Sequence, residues 1–274
     1  MPELPEITAR AKEMREALLG KTIAAIEVLQ PKSLNIPEDD FVEALTSAEI
    51  LDVTNRGKWL FLETTRGWLL LNLGMGGEIL LVTRATLPEK YRLVFDFEDG
   101  NSLSVNFWWF GYAHYTPPGE LETHRMTAKL GSNATDLSAA QLGELLSGRR
   151  GRIKNFLLDQ TKIAGIGNAY IHDILFLARL HPMRQINTLN EVDIERLWQG
   201  IQQGLQPSID KGGAYYEVDI YGAKGGFTFD DILIGYREGQ PCPVCGPELG
   251  TEIEKIKTGS NSSFICPECQ KFGY

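Results

Sequence analysis

The sequence predicts an α+β chain of more than one domain: a β-rich N-terminal part, a helical part, and a small cysteine-clamped hairpin at the end. Three observations carry this. Between residues 22 and 115, short runs of β-branched and aromatic residues alternate with turn-forming clusters. From about residue 138 to 210 the apolar residues recur at helical spacing. Two Cys-x-x-Cys pairs then stand close to the C-terminus. At 274 residues with 43% hydrophobic side chains, the chain is long enough for two domains and a proper core.

A helix opens the chain over residues 5–19, where Ile7, Ala11, Met14, Ala17 and Leu18 form an apolar stripe and Gly20 is a stop. Strands follow at 22–29, 59–63, 68–73, 78–82 and 91–97, with turns at 55–57 and 98–101. This pattern predicts an antiparallel sandwich or barrel-like domain. Gly, Ser and Asn at 131–133 mark a boundary. Helices are expected at 138–147, 153–160, 168–178 and 190–210, the last capped by Asn190. The Gly- and Tyr-rich stretch 212–226 reads as a mobile loop. The resulting division is 1–131, 132–234 and 235–274.

No apolar run approaches the ~20 residues that cross a bilayer, and the start lacks the basic and apolar regions of a signal peptide. The expected location is the cytosol, where four cysteines are metal-bound thiolates more readily than disulfides. The net charge of −9 argues against nucleic-acid binding, which relies on Lys and Arg. Net charge does not say where the charges sit, however, and an acidic chain can carry one basic face.

Pro2 stands out at the N-terminus, beside Glu3 and Glu6. Removal of Met1 would make Pro2 a free secondary amine, and an α-amino group titrates far lower than lysine and so is more often reactive at neutral pH. Condensed with an aldehyde, it forms an iminium that is positively charged without a proton. The same residues also suit a simple helix start, with Pro5 in the first turn and Glu6 at the positive end of the helix dipole. At the other end, Cys242 and Cys245 are followed after 20 residues by Cys266 and Cys269. Such a set can close tetrahedrally on one zinc ion, with no position left for a reacting ligand, so the metal is expected to be structural. Segment 153–170 reads as helix, glycine-punctuated turns and helix. Gly165 and Gly167 could bring backbone N–H groups to a phosphate, and Asn168 could add an amide. Lys154, with Arg149, Arg150 and Arg152, makes a cationic cluster, which could equally be the solvated face of a helical hairpin.

Taken in order, Pro2-Glu3-Leu4-Pro5-Glu6, Arg56-Gly57-Lys58, Leu73-Gly74-Met75, the 158–170 segment, His181-Pro182 and the paired cysteines before Gln270 resemble the formamidopyrimidine-DNA glycosylase and endonuclease VIII family over nearly the whole chain. The resemblance implies an N-terminal β-sandwich with flanking helices, a helix-two-turn-helix domain and a four-cysteine zinc finger, with damaged double-stranded DNA as partner and a monomeric, cytoplasmic, nucleoid-associated protein. It implies that Pro2 attacks the sugar's anomeric carbon, that an oxidised base leaves, and that the iminium drives β- and δ-elimination at the abasic site. Glu3 would shuttle protons, Glu6 would support the site and Lys58 would act as the second lysine. Arg152, Lys154, Gly167 and Asn168 would hold phosphates. Met75 and Phe110 would fill the gap left by a flipped base, although core packing is the commoner use of Met and Phe, and Trp109, itself a departure from the family pattern, could stack on an unpaired base.

Four positions depart from the family pattern. Trp108 and Trp109 stand where a basic pair is usual, and an indole offers no forked donors to a base edge. Asn261 replaces the finger's arginine, and Asn55 takes an often basic position. Weaker DNA binding with a shallower salt dependence is expected. Two readings follow: a bifunctional glycosylase and abasic-site lyase, favoured by the conjunction of Pro2, Glu3, Glu6 and Lys58, or a DNA-structure binder that kept the scaffold.

Overall fold

The computed structural model describes residues 1–108, 110–259 and 261–272. The chain forms two compact units, Met1–Leu130 with Lys211–Gly226, and Gly131–Asp210 with Phe227–Tyr274.

The first unit opens with α1 (Leu4–Leu18), whose first turn holds Pro5 and Glu6. Then come β1 (Ile23–Val28), α2 (Glu38–Leu45), β2 (Ile50–Arg56), β3 (Trp59–Thr64), β4 (Gly67–Asn72), β5 (Glu78–Thr83), β6 (Leu93–Phe97), β7 (Asn101–Asn106) and β8 (Tyr112–Thr116). They make two antiparallel four-stranded sheets, ordered β1-β6-β7-β5 and β2-β3-β4-β8. Ile79, Phe95, Leu103 and Val105 of the first sheet share one core with Val53, Leu60, Leu62, Leu69 and Leu71 of the second, and with Ile7, Met14 and Leu18 of α1. The predicted sandwich is therefore present. Strand β3 is buried on both faces, because Trp59 and Phe61 point away from Leu60 and Leu62 into a second cluster with Leu70. A strand covered on both sides loses polar alternation, which is why this segment reads as a continuous apolar run.

Residues 211–226 differ from the expected mobile loop. They belong to the first unit and are clamped onto it by long-range hydrogen bonds. The amide of Ala214 donates to Glu6 Oε1 at 3.1 Å, and that of Ile220 to Glu13 Oε2 at 3.2 Å. Leu81 N–H donates to Ile220 O at 2.7 Å. The buried Arg10 guanidinium donates to the carbonyls of Gly212 and Val218 and is held by Glu13. Gly213 has φ +99°, and a Cβ there would meet Glu6 Cγ at 3.0 Å, so the close approach to α1 needs glycine. Composition reported the glycines, whereas the partners that fix them lie some 200 positions away in sequence.

The second unit contains β9 (Ser132–Asn133), α3 (Ala139–Leu146), α4 (Ile153–Leu158), β10 (Ile163–Ala164), α5 (Ile171–Leu177), α6 (Glu191–Asp210), α7 (Gly246–Leu249), β11 (Glu254–Lys257) and β12 (Ser262–Ile265). The expected cap at α6 is present: Asn190 Oδ1 accepts from Asp193 N–H at 2.9 Å. Helices α4 and α5 are shorter than expected, because the turns between them are organised by Gln160, whose amide nitrogen donates to Leu158 O and Ile166 O. Asp173 on α5 is buried, and its carboxylate accepts three backbone N–H groups, from Leu233 at 2.8 Å and from Ile234 and Gly235 at 2.9 Å. Burial pushes its pKa up and the three donors oppose that rise.

Two outcomes follow from these clamps. Asp173→Asn should cost about 3 kcal/mol by turning an amide NH2 group toward a backbone donor, and calorimetry should show a melting temperature roughly 5–10 °C lower. Glu6→Gln should loosen residues 211–226, so that hydrogen exchange of the Ala214 amide speeds up about ten-fold or more while exchange in β3 is unaltered. Unchanged Ala214 protection would show that the carboxylate does not hold the segment.

Candidate active site and metal centre

In the first unit, Pro2, Glu3 and Glu6 are all buried at the start of α1. Glu3 N–H donates to Glu6 Oε2 at 2.8 Å, the hydrogen bond of a helix capping box. With the Ala214 amide on its other oxygen, the Glu6 carboxylate has a donor on each side. Lys58 reaches the same place from the two-residue loop joining β2 and β3, and its Nζ lies 3.7 Å from Glu3 Oε1. Two residues outside the expected set hold this arrangement. Asn72 Nδ2 donates to Lys58 O at 2.9 Å while its Oδ1 accepts from Gly74 N–H at 3.0 Å. Asn55, noted in the sequence only for lacking charge, donates to Thr8 Oγ1 of α1 at 3.2 Å.

Met75 and Phe110 are both exposed apolar side chains. They are brought together by Gly74, at φ +57°, where a Cβ would fall 1.6 Å from Phe110 O. Any other residue would drive the two turns apart. Trp109 lies outside the described residues; Trp108 is exposed. Next to Met75, a cavity of about 340 Å³ is lined by Met1, Glu78, Tyr216 and Glu217 among others. Glu78 and Glu217 were not singled out in the sequence. Glu217 sits in the Gly- and Tyr-rich stretch, and only a register for that stretch would have placed it here.

In the second unit, Lys154 is buried rather than displayed on a basic face. Its Nζ donates to Ser263 Oγ at 2.7 Å, Ser262 O at 2.8 Å and Thr258 Oγ1 at 3.3 Å, using all three ammonium hydrogens on the β11–β12 hairpin. Burial pushes its pKa down to about 8. The N–H of Gly165, offered by the sequence to a phosphate, is taken at 2.8 Å by Gln160 Oε1. Asn168 is exposed at the start of the next helix, Gly167 is buried and Arg152 is half-buried. Arg149 and Arg150 are exposed.

The four cysteine Sγ atoms all lie within 4.8 Å of one another. Individual separations are 3.8 Å for Cys242–Cys269, 3.4 Å for Cys245–Cys266 and 3.6 Å for Cys245–Cys269. Thiolates ~2.3 Å from a tetrahedral zinc ion stand about 3.8 Å apart, so the cluster has the right size. Backbone N–H groups of Val244 and Cys269 point at the Sγ atoms of Cys242 and Cys266, at 3.5 and 3.4 Å, which favours thiolates. The donor set fits one structural zinc ion with no open position.

Comparison with known proteins agrees with this arrangement. Residues 1–106 match the formamidopyrimidine-DNA glycosylase N-terminal domain, residues 130–218 the formamidopyrimidine-DNA glycosylase H2TH domain, and residues 239–271 the zinc finger found in FPG and IleRS. Formamidopyrimidine-DNA glycosylase of Gluconobacter oxydans is 36% identical over 283 residues, covering 99% of this chain and all of that one. The enzyme of the same name from Pelotomaculum thermopropionicum is 34% identical over 278 residues, covering 99% of each chain. Among solved structures, Lactococcus lactis Fpg in complex with abasic-site DNA superposes with a TM-score of 0.88 at 28% identity, covering 98% of this chain and 99% of that one. MutM in complex with DNA containing carbocyclic 8-oxo-G gives 0.87 at 29% identity, covering 98% and 100%. With three domain models matching in order and full-length relatives above 30% identity, the chain belongs to the formamidopyrimidine-DNA glycosylase family.

Proposed function

We propose that the chain is a bifunctional DNA glycosylase and abasic-site lyase of base excision repair, which removes oxidised bases from double-stranded DNA and cuts the strand at the resulting site. The observation that carries this reading is the convergence of Pro2, Glu3, Glu6 and Lys58 in one packed unit, with Lys58 Nζ 3.7 Å from Glu3 Oε1.

With Met1 removed, the Pro2 nitrogen attacks the sugar C1′, and the base departs with the electrons of the glycosidic bond and a proton. The ring opens to an iminium, which draws electrons from C2′ once its proton is taken; the 3′ phosphate leaves, then the 5′ phosphate. Glu3 moves the protons. Glu6 does not, since N–H groups occupy both its oxygens; it fixes Glu3 and the 211–226 segment in place. Lys58 places a cation beside Glu3 for a phosphate near the lesion. Met75, Phe110 and Trp109 fill the stack when the base is flipped out. Arg152, Gly167 and Asn168 contact phosphates from the helix-two-turn-helix element, and Lys154 contributes by fixing the finger's hairpin. In this scheme residues 1–131 catalyse, 132–234 bind DNA and 235–274 form the finger, with 211–226 lent to the catalytic unit. The enzyme works as a monomer in the cytoplasm, on the nucleoid, where reduced thiolates can hold zinc. None of the helices among the described residues is long and apolar enough to cross a membrane.

Two experiments test this reading. Protein shown by mass spectrometry to begin at Pro2 should form a borohydride-trapped adduct with abasic-site DNA, and Pro2→Gly should lower trapping about a hundred-fold or more. Absence of any adduct from Pro2-started protein would leave only a DNA binder. Stripping zinc with a chelator, or Cys266→Ser, should release the β11–β12 hairpin and weaken DNA binding by about ten-fold or more, read by fluorescence anisotropy alongside zinc content. Full affinity in metal-free protein would remove the finger from the DNA-binding surface.

A further inference from the structure

Strand β8 turns its two faces to different surroundings. Ala113 and Tyr115 pack toward the sandwich core, so Tyr112, His114 and Thr116 alternate onto the opposite face. There they meet Trp59, whose ring stacks on Tyr112 at a centroid distance of 5.7 Å and lies 5.7 Å from His114 and 5.9 Å from His124. A cavity of about 920 Å³ opens beside this cluster, walled by Leu34, Ile36, Tyr112, His114, Thr116 and Met126 among others. Asn35 ties the 34–36 side of the cavity to the strand, donating to Tyr115 O at 2.7 Å and accepting from Tyr115 N–H at 2.8 Å. The cavity lies wholly within the first unit, and none of Pro2, Glu3, Glu6 or Lys58 lines it.

Two polar atoms on its wall have no partner among the described residues. Thr116 is 4% exposed, and its Oγ1 makes no hydrogen bond. His114 Nδ1 stands 2.9 Å from His124 Nε2, and His124 Nδ1 stands 2.7 Å from Thr127 Oγ1, which leaves His114 Nε2 unused. Buried polar groups left unpaired are costly, and a ligand that bonds them relieves the cost. Burial pulls the pKa of His114 down to about 4 and lowers that of His124, so both imidazoles are neutral at physiological pH. A neutral chain of this kind runs in either direction. With the Thr127 hydroxyl donating, each imidazole passes one hydrogen along and His114 Nε2 is a donor to the cavity. With the Thr127 oxygen accepting, both tautomers reverse and Nε2 is an acceptor. The Thr116 hydroxyl has the same freedom.

The lining narrows the class of ligand. Tyr112 and Met126 offer surface to a flat ring. His114 and Thr116 stand two residues apart on one strand, roughly 7 Å between Cα atoms, a spacing that suits the edge of a fused heterocycle better than a single carbonyl. Arg125 is exposed on the rim, with no carboxylate partner among the described residues, and is available to an anion. Glu120, the other charged residue of the lining, can accept from sugar hydroxyls. We propose that this cavity is a ligand site for a purine nucleoside monophosphate, with the base edge on His114 and Thr116 and the phosphate on Arg125. Because both polar atoms switch between donor and acceptor, the site takes adenine and guanine edges alike. Binding there is independent of the activity proposed for the N-terminal residues.

The test uses full-length, zinc-loaded protein without DNA. Titration calorimetry with guanosine and adenosine monophosphates should give dissociation constants below about 1 mM that agree within about three-fold. Guanosine and ribose phosphate should each bind about ten-fold or more weakly. Thr116→Val, which keeps the shape, should weaken guanosine monophosphate about ten-fold, and Arg125→Gln should make it bind no better than guanosine. The chain has four histidines, so NMR of the ring nitrogens locates the ligand in wild-type protein. Those of His114 and His124 should shift and those of His172 and His181 should stay in place. No binding of either nucleotide at about 5 mM leaves the cavity to water and overturns the assignment. Binding that shifts neither His114 nor His124 overturns it too, as does binding that Thr116→Val and Arg125→Gln both leave unchanged. Ribose phosphate as tight as the nucleotides marks an adventitious anion only, and a ten-fold or greater difference between the two purines sinks the donor–acceptor switch.

Discussion

The Glu6 carboxylate is the interaction on which the first unit's site depends. One oxygen takes the Glu3 amide at 2.8 Å and the other the Ala214 amide at 3.1 Å. The first bond sets the path of the chain where Pro2 and Glu3 leave the helix. The second docks a segment more than 200 residues distant onto the same turn. A buried carboxylate is costly unless its lone pairs are used, so a gap at either bond would expose the whole desolvation penalty. That makes the placement of the terminus and of residues 211–226 one problem with one solution. Arg10 and Glu13, a turn or two further along α1, repeat the device with the carbonyls of Gly212 and Val218 and the amide of Ile220.

The second unit uses buried charge in the same way. Lys154 spends its three hydrogens on Thr258, Ser262 and Ser263, and Asp173 spends its oxygens on three successive amides. The finger contributes little apolar core of its own, chiefly Ile253, Phe264 and the cysteines, packed with Phe176 and Ile234. Four thiolates on a metal and one saturated ammonium supply the order that such a small hydrophobic cluster does not. These struts bear on the charge balance: Arg10 and Lys154 are two of the 27 cations, and being buried they offer nothing to phosphates. Glu3, Glu6 and Asp173 are buried as well, so burial leaves the balance of surface charge close to the sequence count.

The sandwich, the long helices and the four-cysteine cluster were legible because each is written in short-range spacing. Period-two and period-3.6 apolar patterns are set by the backbone itself, and a Cys-x-x-Cys pair bends two ligands toward one point wherever it occurs. Pro2, Glu3, Glu6 and Lys58 meet in one unit, and in the sequence only family resemblance connects Lys58 with the other three. Residues 211–226 read as mobile in the sequence because glycine frequency reports backbone freedom and says nothing of distant partners. Lys154 reads as part of a cationic cluster for the same reason: an Ile-Lys-Asn helix start looks solvated until a hairpin 104 to 109 residues later covers it. Asn72 and Glu217 carry no local signature at all.

By itself the sequence determined the order of elements, the metal ligands and the chemical groups available, since these follow from local stereochemistry and residue identity. Only the tertiary structure decided which groups meet. It set Lys58 against Glu3, Ala214 against Glu6 and Lys154 against Ser263, and it placed Glu217 on the cavity beside the terminus. The physical reason is that each pairing spans between 55 and 208 residues, and the registers that close those spans come from packing: two sheets, a helix and a returning loop around one core in the first unit, and the β11–β12 hairpin against α4 in the second.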